Sequence, residues 1–86
     1  MPGYHIAKIE RGEYGKLSKI REEFEELCDA VNQGCTVMAL CELADMMGAI
    51  RAWLERNAPG FTLGDLIVMA DATDRAFKDG TRKPRT

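Results

Sequence analysis

Two pairs of carboxylates are the residues in this sequence whose type and spacing could do chemistry. The first is Glu42 and Asp45, inside "VMALCELADMMGAI" from Val37 to Ile50. An i, i+3 spacing puts both side chains on one helical face about a turn apart. The surrounding text reads as the middle of a buried helix, where an unpaired carboxylate is costly. No Lys or Arg between Val37 and Ile50 can neutralise them. The second pair is Glu23 and Glu26 in "KIREEFEEL", with the same spacing and with Glu22 and Glu25 alongside. Alone, such a run is usually a solvated helix face. If the two segments pack antiparallel across the short "NQGC" connection, the two pairs face each other. A cluster of that kind stays ionised only when a multivalent cation neutralises it. Oxygen ligands without His or Cys select hard ions, Mg²⁺ first, Mn²⁺ as a substitute and Ca²⁺ after them.

The elements that must position these groups are helices. Leu17, Ile20, Phe24, Leu27 and Val31 recur at three- and four-residue steps, which predicts a first helix from about Glu13 to Asn32. "NQG", Asn32 to Gly34, tolerates the left-handed conformation and stops it. A second helix is expected from Thr36 to about Asn57, ending before "APG". A third starts after Thr62, an N-cap with Asp65 in the capping-box position, and ends at Gly80. Residues 1–12 show too little periodicity to assign, and the basic tail "TRKPRT" (81–86) is expected to be mobile. No strand pattern survives, so the fold class is all-α, a single domain over 1–86.

The second helix carries Leu40, Leu43, Met47, Ile50 and Leu54 on one face, with Met46 and Trp53 extending apolar character around it. Trp53 reads as core or subunit interface rather than a base-stacking residue. A helix apolar on most sides needs more partners than one short chain supplies. The expectation is a helical bundle completed by oligomerisation, as a dimer or tetramer.

The formal net charge of −2 weakens a nucleic-acid or membrane-surface reading, since both need a basic field. No apolar run reaches the ~20 residues needed to cross a bilayer, and "MPGYHIAKIERGEYG" lacks a signal-peptide core. Cys28, Cys35 and Cys41 show no C-x-x-C spacing and fit a reducing cytoplasm as small apolar residues. A zinc site joining them to His5 would have an unusual spacing.

Glu-x-x-Glu on one helix, a connection, and Glu-x-x-Asp on the next resembles the signature of the MazG-type all-α nucleoside triphosphate pyrophosphohydrolases. Here it reads "EEFEEL" followed by "ELAD". "YGKLSKIREEFEEL", "DAVNQG", "ELADMMGAI" and "DLIVMADATDRAFKDGTR" look like the small, often phage-encoded members, so the resemblance spans about Gly12 to Arg82. It implies Mg²⁺- or Mn²⁺-dependent cleavage between the α- and β-phosphates of a (deoxy)nucleoside triphosphate, giving the monophosphate and pyrophosphate. A purine substrate such as dGTP in a phage nucleotide pool, within the host cytoplasm, is the implied role. By motif position, Glu23, Glu26, Glu42 and Asp45 are the metal ligands, with two or more ions per site. Glu22, Glu23 and Glu26 form the catalytic group, and Glu22 binds a further ion or orients the attacking water. Distal phosphates need cations: the candidates are Arg75, Lys78 and Arg82, with Lys16 and Lys19 ahead of the acidic run.

Two other classes compete. One is a non-catalytic helical interaction module of the same fold, separable from the enzyme by metal-dependent pyrophosphate release. The other is a DNA-binding helix-turn-helix, against which the negative charge and the lack of a basic recognition helix both count.

Overall fold

A computed structural model describes residues 5–79. Among them the secondary structure is entirely helical: α1 (Leu17–Asn32), α2 (Thr36–Asn57) and α3 (Leu63–Lys78). No helix is long and apolar enough to cross a membrane among the described residues. Gly80, Arg82 and the 81–86 tail lie outside the described residues.

The first helix begins four residues later than its periodicity suggests, and Gly15 is the reason. Its φ of +87° is left-handed, so Glu13 to Lys16 form a turn closed by Lys16 N–H donating to the Glu13 carbonyl at 3.0 Å. That turn is tied to the far end of α2. The Asn57 side chain donates to the Gly15 carbonyl at 3.2 Å, and the Arg56 stem lies where a Gly15 side chain would go. At its other end α1 stops as expected. Cys35 N–H donates to the Ala30 carbonyl and Gly34 N–H to that of Val31, with Gly34 at φ +72°. This pairing satisfies the last carbonyls and reverses the chain within a few residues. The outcome is an antiparallel α1–α2 hairpin.

The hairpin turns its acidic residues inward. Glu23, Asp29 and Ala30 are the buried residues of α1, and Glu42, Ala49 and Leu54 those of α2. The large apolar side chains face out: Leu17, Phe24 and Val31 on α1, and Leu40, Leu43 and Met47 on α2, are exposed in the single chain. The expected apolar face of α2 therefore exists, but only Leu54 of it is buried by this chain.

The third helix starts as its sequence indicates. Asp65 N–H donates to Thr62 Oγ1 at 3.1 Å and Thr62 N–H donates to Asp65 Oδ2 at 2.8 Å, the reciprocal capping box. α3 packs on α2 alone, does not touch α1, and contributes no buried residue. Ile67, Val68 and Met69 remain exposed on it.

Candidate metal centre

The hairpin brings the predicted carboxylates together. Ligand oxygens of Glu22, Glu23 and Glu26 lie within 4.8 Å of one another, and so do those of Glu23, Glu42 and Asp45. Glu23 belongs to both groups and joins them into one acidic site. The site opens into a cavity of about 540 Å³.

Burial distinguishes the members. Glu42 is fully buried and Glu23 nearly so, whereas Asp45 is exposed. The expectation of two carboxylates inside a buried helix therefore holds for Glu42 and is corrected for Asp45, which stands at the cavity rim. Glu23 Oε2 is 3.3 Å from Lys19 Nζ, but Glu23 Oε1 is buried with no hydrogen-bond partner among the described residues. Buried polar atoms are rarely left this way, because each unsatisfied one forfeits its hydration.

The electrostatics follow from crowding. Burial, then a hydrogen bond with Glu42 and the charge of Glu23, pushes the Glu26 carboxyl up to about 8. Glu26 thus keeps its proton near neutral pH in the absence of a cation. Glu22 moves the other way. Burial alone would raise it, but the Gly12 N–H, donating to Oε1 at 2.7 Å, and Lys19, at 3.1 Å, lower it. Gly12 can approach so closely because it lacks a side chain: a Cβ there would collide with the Ser18 carbonyl.

Of the expected phosphate-binding cations among the described residues, only Lys19 lies in the site. It lines the cavity, lies over the Tyr14 ring at 4.9 Å and pairs with Glu22 and Glu23. Burial works to lower its pKa, and the hydrogen bonds and charges of the two glutamates outweigh that and raise it. Lys16 instead pairs with Glu13 at 2.9 Å on the exposed surface. Arg75 and Lys78 sit on α3, away from the cavity, with Lys78 paired to Asp74 at 2.8 Å. Within the single chain α3 does not reach α1. Arg82 lies outside the described residues.

The residues missed by sequence reasoning come from the unassigned N-terminal segment. His5, Ala7, Ile9 and Arg11 line the cavity as alternate positions of that segment. Asp29 holds it there, accepting from Ile6 N–H at 2.9 Å, Ala7 N–H at 3.1 Å, His5 Nδ1 at 2.9 Å and Gln33 Nε2 at 2.9 Å. Burial alone would raise the Asp29 pKa, but these donors together lower it and keep the carboxylate charged. The available signals were the two-residue alternation of this segment and the position of Asp29, three residues after Glu26.

No family model matches this chain, and neither a curated protein nor a solved structure matches it.

Proposed function

We propose that this protein is a divalent-metal-dependent nucleotide pyrophosphohydrolase of the MazG type. It would cleave the α–β phosphate bond of a (deoxy)nucleoside triphosphate to the monophosphate and pyrophosphate. The observation that carries the reading is Glu23 Oε1, a buried carboxylate oxygen without a partner among other carboxylates. A cation bound among these carboxylates would satisfy that oxygen. The donor set fits Mg²⁺ or Mn²⁺, held by Glu23, Glu26, Glu42 and Asp45. When bound, such ions supply charge neutralisation, polarisation of phosphoryl oxygens and a lowered water pKa.

The chain's own residues complete the work. Glu22, held ionised by Gly12 N–H and Lys19, orients the attacking water at the cavity wall. Lys19 and Arg11 line the same cavity and supply positive charge for a substrate with about four negative charges. Tyr14 offers a ring at its edge. Glu26 would hold the ion as a carboxylate, since a bound cation would offset the burial and neighbouring charge that raise its pKa.

The exposed Leu40, Leu43 and Met47 of α2 and Ile67, Val68 and Met69 of α3 support association with a second copy, as a dimer or a pair of dimers. In that assembly Arg75 and Lys78 serve the partner's site rather than their own. Incubation with each common NTP and dNTP in Mg²⁺ or Mn²⁺, with chromatography of all products, tests the function. Monophosphate plus pyrophosphate is expected; diphosphate plus orthophosphate identifies a different bond and rejects it.

A further inference from the structure

The N-terminal segment adds a nitrogen ligand that the acidic motif does not include. His5 is largely buried, and its two ring nitrogens have different neighbours. Nδ1 is 2.9 Å from Asp29 Oδ2. That carboxylate is charged and accepts only, so Nδ1 carries a hydrogen and donates it. Nε2 points the other way, 3.3 Å from Glu42 Oε2 and 3.7 Å from Glu26 Oε1. Nε2 and Glu42 Oε2 lie within hydrogen-bond distance, a contact that a cation held between the ring and the carboxylates would replace. Donor atoms of His5, Glu26 and Glu42 lie within 4.8 Å of one another.

Metal–ligand lengths of about 2.1 Å separate adjacent donors by about 3.0–3.4 Å, close to these distances. The carboxylate on Nδ1 is the usual device that fixes the tautomer and orientation of a metal-binding imidazole. Asp29 is itself fixed by Ile6, Ala7 and Gln33, so the ring is preorganised. A second, independent sign of a ligand is the unpartnered Glu23 Oε1, since Glu23 lines the same cavity as His5 and Glu26.

We propose that His5, Glu26 and Glu42 form a mixed nitrogen–oxygen position for a first-row divalent transition ion, with Asp29 as the positioning residue. The inference rests on the metal-dependent reading of the acidic site and refines it: one position prefers a transition ion to Mg²⁺, because imidazole is a softer donor than carboxylate. The N-terminal segment is then part of the metal centre.

The test loads the full chain with Mn²⁺ and records pulsed electron paramagnetic resonance of wild type and His5→Gln. Wild type should show hyperfine coupling to a directly bound imidazole nitrogen, and His5→Gln should lose it. By calorimetry, His5→Gln should weaken Co²⁺ binding about tenfold or more and Mg²⁺ binding less than about threefold. Mn²⁺ bound in an oxygen-only environment in wild type overturns this inference and leaves the carboxylate site standing, with His5 acting as an imidazolium on Glu42. Absence of any Mn²⁺ binding overturns both. The wild-type spectrum decides the matter even if His5→Gln fails to fold.

Discussion

Replacing Asp45 with Asn separates a metal ligand from a structural residue. Asp45 is exposed and makes no hydrogen bond or ion pair among the described residues, yet a carboxylate oxygen of it lies within 4.8 Å of donors on Glu23 and Glu42. At that distance two charges in a water-like medium repel by about 1 kcal/mol. Asn preserves the shape and removes the repulsion, so the metal-free variant should be as stable as the metal-free parent or more stable by up to about 1 kcal/mol. With metal the order reverses. An ion at 100 times its dissociation constant stabilises the parent by about 2.7 kcal/mol. Loss of one ligand weakens binding by about tenfold, which leaves the variant a gain of about 1.4 kcal/mol at the same ion concentration. For a chain of 86 residues the parent should rise by roughly 10–20 °C in Tm and the variant by about half as much. Thermal melts by circular dichroism, at one protein concentration with chelator and with Mn²⁺, measure all four states. Collapse of the metal-free variant, or a metal-induced rise equal to the parent's, would refute the reasoning.

Metal-free protein should lose stability as pH rises. Glu26 titrates at about 8 in the fold against an ordinary value of 4.5, so the folded state keeps a proton that the unfolded chain releases between them. The contribution is complete below pH 4.5 and lost as pH passes 8, with a slope of at most about 1.4 kcal/mol per pH unit. Urea midpoints across that window should fall in chelator and much less in Mn²⁺ or in Glu26→Gln; a flat metal-free profile would contradict the raised Glu26 pKa. Gly12→Ala should cost about 1–3 kcal/mol of stability, because the new methyl meets the Ser18 carbonyl. It should also cut nucleotide turnover by displacing the N–H that holds Glu22, and an unaltered melt and rate would show that this contact is dispensable. Arg75→Ala should depress turnover with little change in Tm, and mixing it with Asp45→Asn should restore about a quarter of wild-type activity. Half of the randomly mixed dimers are hybrids, and each hybrid has one intact site. No recovery on mixing would remove Arg75 from the partner's site.

The helices and the acidic cluster were legible because both follow from local rules. Leu-rich periodicity, the Asn32–Gly34 stop and the Thr62–Asp65 box fixed three helices, and a connection of a few residues forced α1 and α2 antiparallel, which aligned Glu23 and Glu26 with Glu42 and Asp45. What the sequence concealed depends on distant contacts. Gly15 delays α1 because its left-handed turn packs on Arg56 and Asn57, more than forty residues downstream. His5 enters the site through Asp29, which collects its donors from a segment whose two-residue alternation is too short to assign an element. Asp45 sits among apolar residues in sequence but at a rim in space, since the apolar residues around it point outward in the single chain. Arg75 and Lys78 share a helical face but occupy a helix that reaches only α2.

The carboxylates around Glu23 Oε1 hold metal for α–β phosphate cleavage in the function proposed for this chain, and one measurement addresses metal and bond together. Phosphorus NMR of a deoxynucleoside triphosphate incubated with wild type or Glu23→Gln, in Mg²⁺, in Mn²⁺ and in chelator, follows every phosphate at once. With wild type, the triphosphate signals should give way to pyrophosphate and monophosphate in metal alone. Glu23→Gln should be slower by at least about a hundredfold, the scale of losing a group that acts in the transition state. Unchanged cleavage by Glu23→Gln, cleavage in chelator, or an orthophosphate and diphosphate product pair would contradict it.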